Sequence, residues 1–163
     1  MRPNRLLVPA LLAPLLLQGC RNQEPPRPVP ESWKSWDVEG VTFRYPENCV
    51  ITTEALSSDV QRLFVSTRAQ PGKLILCLDL GVSPYCPVLG LSKALGKSSA
   101  TAIAGFDTER YGPAPDPTGV FSEGLMELGG KGRTRQAHFS YCHLDSAEQE
   151  QAETIIASLQ NRS

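Results

Sequence analysis

Alternating apolar and polar positions dominate the chain between residues 41 and 144, and a helical stripe closes it. Val41-Thr42-Phe43-Arg44-Tyr45-Pro46 sets Val, Phe and Tyr against Thr and Arg, which predicts a half-buried strand ended by proline. Cys49 to Glu54 is a second short β-prone run. In Gln61 to Ala69, Leu63, Val65 and Thr67 stand opposite Arg62, Phe64, Ser66 and Arg68. Lys73 to Gly81 places Leu74, Leu76, Leu78 and Leu80 on one face and Ile75, Cys77 and Asp79 on the other, the pattern of a central strand. Ser83-Pro84-Tyr85-Cys86-Pro87 reads as a turn, after which Val88, Leu91 and Leu95 fit one face of a short helix that Gly90 weakens. Thr101 to Tyr111 is again β-prone. Gly112 to Gly119, with Pro113, Pro115 and Pro117, reads as a loop outside strand pairing. Val120 to Leu128 and Arg133 to Leu144 form a hairpin around Gly129-Gly130-Lys131-Gly132. Asp145 and Glu148 then make a capping box for a closing helix. Its stripe is Ala152, Ile155, Ile156 and Leu159; Glu153 falls off the stripe and reads as replaceable. The fold expected is α+β, an antiparallel sheet flanked by helices.

The first 31 residues carry a different pattern. Arg2 and Arg5 precede an apolar run, Leu6 to Leu17, and a small residue then precedes a cysteine. This is the order of a secretory leader. The run is shorter than the roughly 20 apolar residues that span a bilayer, and Pro9 and Pro14 break it as a helix. Leu17-Gln18-Gly19-Cys20 resembles the lipobox of bacterial lipoproteins. The resemblance implies removal of Met1 to Gly19, diacylation of Cys20 and its use as the new N-terminus. Arg21 stands where an aspartate is the usual inner-membrane retention signal in such lipoproteins, so by the same resemblance the outer membrane is favoured. Cys20 to Glu31, with Pro25, Pro26, Pro28 and Pro30, reads as a semi-extended tether. A ligand for an SH3-like partner is the weaker reading of those prolines. Ser32 to Ser163 is then one globular domain.

Charge and cysteine content narrow the choices. Removing Arg2 and Arg5 with the leader leaves 14 basic against 17 acidic residues, a net charge of −3, and no basic cluster. Nucleic acid is therefore a poor partner, and membrane attachment falls to the lipid. Once Cys20 is lipidated, Cys49, Cys77, Cys86 and Cys142 remain, an even number in an exported domain. They are disulfide candidates with three possible pairings, and the loop between Cys77 and Cys86 is the simplest to close.

Val41-Thr42-Phe43-Arg44-Tyr45-Pro46 looks like the opening strand of PsbP-like domains, and His138-Phe139-Ser140-Tyr141 with Ile155-Ile156-Ala157-Ser158-Leu159 like their closing strand and helix. The resemblance covers Ser35 to Gln160. It implies an α/β/α sandwich around an antiparallel sheet, and protein partners.

Several residue sets invite a chemical reading. His138, Cys142 and His143 suggest zinc. On one strand, however, His138 and Cys142 are about 13 Å apart at roughly 3.3 Å per residue, and His143 points the other way. Cys142 or Cys86 with a histidine base would need proximity that the sequence does not display. Gly96-Lys97-Ser98 imitates the end of a phosphate-binding loop, but its spacing from Gly90 is one residue too long and no strand directly precedes it. Asp107 with Glu109, and Glu123 with Glu127, are paired carboxylates of the kind glycosidases use, against the simpler reading of a solvated sheet face. No Gly-x-Ser-x-Gly elbow occurs. No catalytic, metal or cofactor site is assigned. The reading reached is a non-enzymatic, envelope-anchored binding or accessory lipoprotein with a protein partner in the envelope. A small envelope hydrolase, or an immunity or inhibitor protein against a secreted toxin, stand as alternatives.

Overall fold

The computed structural model describes residues 28–38, 40–82, 99–116, 119–129 and 135–162, with backbone alone over 114–116 and at 119. The leader, Cys20, most of the tether, Cys86, the short helix expected after Pro87 and Gly96-Lys97-Ser98 lie outside these residues. The described residues form ten strands and one helix, in the order β1 (Lys34–Val38), β2 (Val41–Tyr45), β3 (Cys49–Ser57), β4 (Val60–Thr67), β5 (Leu74–Gly81), β6 (Ser99–Ile103), β7 (Phe106–Asp116), β8 (Gly119–Gly129), β9 (Arg135–Leu144), α1 (Ser146–Ala157) and β10 (Gln160–Asn161). They build two antiparallel sheets. The larger has the order β3-β4-β5-β9-β8-β7-β6, and the smaller β1-β2-β10. None of the described helical residues forms a segment long and apolar enough to cross a membrane.

The fold class differs from expectation. The chain is mainly β, a two-sheet sandwich with one described helix, and not an α+β fold with helices flanking a sheet. The α/β/α sandwich implied by the resemblance to PsbP-like domains is corrected in the same way. The physical reason lies in how β5 is covered. Ile75 to Leu80 are buried on both strand faces, a pattern that two helical layers or other cover can equally produce. Here α1 packs on β5 and β9 from one side and reaches β2 of the small sheet. The core between the sheets collects Phe43, Leu63, Val65, Leu78, Phe139 and Ile155.

Local signals explain most elements. Asp145 accepts from the Glu148 backbone N–H at 2.9 Å, while the Glu148 carboxylate accepts from the Asp145 N–H at 3.0 Å, the reciprocal cap predicted for α1. Ala152, Ile155, Ile156 and Leu159 are all buried. Trp33 and Trp36 pack against the core edge, with Trp36 edge-on to Tyr45 at 6.4 Å. Gly124 lies directly across from Phe139, and a Cβ there would stand 2.3 Å from its ring, so only glycine lets the ring lie over the strand.

Gly112 to Gly119 behaves unlike the expected loop. Strand β7 continues to Asp116 and pairs Ala114 with Phe121, Pro115 with Val120 and Asp116 with Gly119, after a register shift beyond Tyr111. Among the described residues β6 pairs only with Phe106 to Arg110, so no described strand calls on the N–H groups of β7 on that side beyond Arg110, which suits its prolines.

The small sheet holds the entry of the chain. The Arg44 guanidinium donates to the carbonyls of Pro30, Glu31 and Trp33, with Nη2 to Trp33 O at 2.7 Å. The Arg44 backbone N–H donates to Ser158 Oγ at 2.8 Å. Gln160 and Asn161 pair with Thr42 and Val41, and Arg162 N–H donates to the Gly40 carbonyl at 2.7 Å.

Candidate functional site

Register places a row of mostly polar side chains, interrupted by Leu125 and ended by Ala100, across the face of the large sheet opposite α1. Glu54 pairs with Arg62, Arg62 with Asp79, Asp79 with His138, His138 with Leu125, Leu125 with Glu109, and Glu109 with Ala100. Directly opposed residues share a face, so these seven strands deliver one stripe. Beside it run Phe64, Cys77, Ser140, Glu123 and Tyr111.

An ion pair and a histidine–carboxylate contact occupy the middle of the stripe. Arg62 grips the buried Asp79 through two bonds, Nε to Oδ1 at 2.8 Å and Nη2 to Oδ2 at 3.0 Å. This fork-on-carboxylate geometry is the strongest form of such a pair. The Arg62 guanidinium also lies 6.0 Å from the Phe64 ring centre. His138 Nε2 meets Glu123 Oε1 at 2.7 Å, a diagonal contact between β9 and β8.

At the β6 end the face opens into a depression of about 450 Å³ lined by Ala100, Thr101, Asp107, Thr108, Glu109, Leu125 and Glu127. Asp107 and Glu109, paired in the sequence, thus converge on one concavity with Glu127, while Glu123 is drawn away to His138. Asp107, Glu109 and Glu127 are exposed. General acid catalysis by a carboxyl group relies on a dry environment that keeps it protonated, and these three side chains face water.

The opposite face holds a buried cluster that sequence pattern missed. Arg110, on β7, is 3% exposed and donates to Ser122 Oγ at 3.0 Å, to Glu153 Oε2 at 3.1 Å and to Tyr141 OH at 3.3 Å. A further contact joins Arg110 Nη2 to Glu153 Oε1, and the Tyr141 hydroxyl donates to that same oxygen. The Ser122 hydroxyl in turn donates a hydrogen bond to the Tyr111 carbonyl at 3.0 Å. The guanidinium also sits 5.7 Å from the centre of the Phe139 ring. Burial pushes the Tyr141 phenol well above the usual tyrosine range, and the adjacent Glu153 carboxylate adds to that shift while Arg110 opposes it. Tyr141 accordingly serves as a proton donor to Glu153. Glu153, expected to be replaceable, is buried and ties α1 to two strands, β7 and β9. The one signal for it in sequence is that Arg110 shares a strand face with Thr108, away from Asp107 and Glu109.

The cysteines are dispersed. Cys49 is buried with Ile51 and Val65 on the core side, Cys77, opposite Ser140, takes the other side, and Cys142 lies in the β8–β9 register irregularity. Strand β4 separates Cys49 from β5, about 10 Å away at roughly 4.8 Å per strand, beyond bridging range for Cα atoms. Among the described residues no disulfide links Cys49, Cys77 and Cys142, and the expected bridges cannot join Cys49 to either of the others. Burial raises the Cys49 thiol above its ordinary value, with Arg68 opposing. Alkylation of the denatured, unreduced protein is expected to label Cys49; mass spectrometry that finds this cysteine blocked would refute the assignment of a free thiol. His138 and Cys142 lie two strand repeats apart, and His143 adopts a left-handed φ of 58° within the β9 irregularity. Among the described residues no three His, Cys, Asp or Glu side chains are arranged to hold a metal ion.

No protein-family model matches the chain, and no curated sequence matches it. A solved structure similar to it is a 1.50 Å crystal structure from Bacteroides thetaiotaomicron VPI-5482, 15% identical with a TM-score of 0.46. The match covers 81% of this chain and 49% of that one, so the chain spans about half the length of that neighbour.

Proposed function

We propose that this chain is an envelope lipoprotein, acylated at Cys20, whose folded domain is a non-enzymatic binding module for an envelope protein. The observation that carries the reading is Leu17-Gln18-Gly19-Cys20, placed behind a charged and apolar leader and ahead of a proline-rich spacer. Two acyl chains on Cys20 would hold the protein where one chain binds only marginally. The spacer ends where Arg44 gathers the carbonyls of Pro30, Glu31 and Trp33, so the domain begins at a fixed point beyond the anchor. The depression at Ala100, Asp107, Glu109, Leu125 and Glu127 offers carboxylates around an apolar floor, which suits a basic segment carrying one apolar side chain.

Cys20→Ser is expected to move the protein out of the membrane fraction or leave it unprocessed, and to abolish incorporation of a fatty-acid analogue. Labelling that persists in Cys20→Ser would refute the anchor. For the binding site, Asp107→Asn, Glu109→Gln and Glu127→Gln together should lower capture of the envelope partner without changing membrane residence. Undiminished capture would move the contact elsewhere on the domain. Convergence of Asp107 and Glu109 supports acid–base hydrolysis as the second reading, and their exposure weighs against it.

A further inference from the structure

Among the described residues strand β3 is an edge of the large sheet, and its backbone can be read group by group. The Arg68 N–H donates to the Asn48 carbonyl at 2.8 Å, one step beyond the opposed residues Cys49 and Thr67. Opposed residues of an antiparallel pair alternate between bonded and unbonded. Asn48, Val50, Thr52 and Glu54 therefore turn their backbone groups toward β4, and Cys49, Ile51, Thr53 and Ala55 turn theirs outward. At one end of this edge the outward carbonyl of Cys49 accepts from Arg68 Nε at 3.4 Å. At the other end a register irregularity between Ala55 and Ser57 interrupts the ladder. What remains between these stops is Ile51 to Ala55, a segment centred on Thr53.

We infer that this segment pairs antiparallel with the same segment of a second copy, about a two-fold axis through Thr53. The sequence is self-complementary about that residue. Ile51 meets Ala55 of the second copy, and Thr52 meets Glu54, so no like charges are opposed. Val50 and Leu56, the exposed large hydrophobic side chains among the described residues at 40% and 39% exposure, flank this segment at its two ends. The edge carries no proline, lysine or glycine, the residues that ordinarily blunt a strand edge or weaken its pairing. A two-fold contact of this kind closes on itself and stops at a dimer, joining two seven-stranded sheets into one.

The test uses the full chain as expressed in cells. Thr53→Cys places a thiol on the axis, and mild oxidation should give a product of twice the monomer mass on a non-reducing gel. Ala147→Cys, exposed at the start of α1, should give no more of it than the parent protein. The purified parent should sediment as a dimer and Thr53→Pro as a monomer with unchanged thermal unfolding, because the lost N–H faces outward. If the proline lowers the melting temperature, Thr53→Lys, which opposes two ammonium groups on the axis, should give the monomer instead. A parent that sediments as a monomer, or Thr53→Cys no more cross-linked than Ala147→Cys, would overturn the inference. A cross-linked product that is not twice the monomer mass would overturn the second copy in favour of a strand from another protein.

Discussion

Glu153→Ala lowers the stability of the domain by about 3–5 kcal/mol, the range for removing one partner of a buried ion pair. The loss is large because the Arg110 guanidinium, 3% exposed, loses the buried carboxylate it is bonded to. Tyr141 loses its acceptor at the same time. Urea unfolding of parent and variant measures the difference; a midpoint shift worth less than about 1 kcal/mol would show that water or a neighbour replaces the carboxylate. Arg110→Met combined with Glu153→Leu should recover most of the loss, since replacing both members of a buried pair with apolar residues is often close to neutral. That double variant distinguishes a contact needed for stability from one whose chemistry is used elsewhere.

Ile155→Asp is expected to cost a comparable amount by a different route. Ile155 is fully buried between α1 and the core that Phe43 and Leu78 share. Removing it forfeits about 1.5–3 kcal/mol of burial, and the carboxylate must then either find water or take up a proton. Ala147→Asp, at an exposed position in the first turn of the same helix, serves as the control and should be neutral or slightly stabilising beside the positive helix end. Equal melting curves for Ile155→Asp and Ala147→Asp would show that α1 is not docked on the sheets.

The two variants mark where sequence is readable. Ile155 belongs to an i, i+3, i+4, i+7 stripe, Asp145 and Glu148 to a three-residue spacing, and Leu74 to Leu80 to an alternation; each is a local signal that needs no knowledge of the rest of the chain. Glu153 is buried by a partner 43 positions away on β7, and no window of the sequence contains both. The sheet stripe from Glu54 to Ala100 is hidden for the same reason, since each member comes from a different strand. Prolines misled in the opposite sense. Pro113 and Pro115 exclude a strand only where both sides must be paired, and among the described residues β7 is paired on one side there, by β8. The fold class failed at the count of helices: the reading assumed helical layers around the sheet, where α1 alone packs against both sheets among the described residues.

Strand β2 sits between β1, which precedes it by a tight turn, and β10, which arrives more than a hundred positions later. Arg44 waits for Ser158, Gly40 for Arg162, and Asp37 for the Arg162 side chain at 2.8 Å. A chain threaded outward through a membrane N-terminus first would present residues 34–45 early and could not complete their sheet until residues 158–162 had emerged. Under the proposed export, the β1–β2 hairpin would stand open to folding helpers or proteases until residues 158–162 arrive to close the small sheet. A chain cut before residue 158 would keep the strands of its large sheet and yet lack the β10 partner of β2.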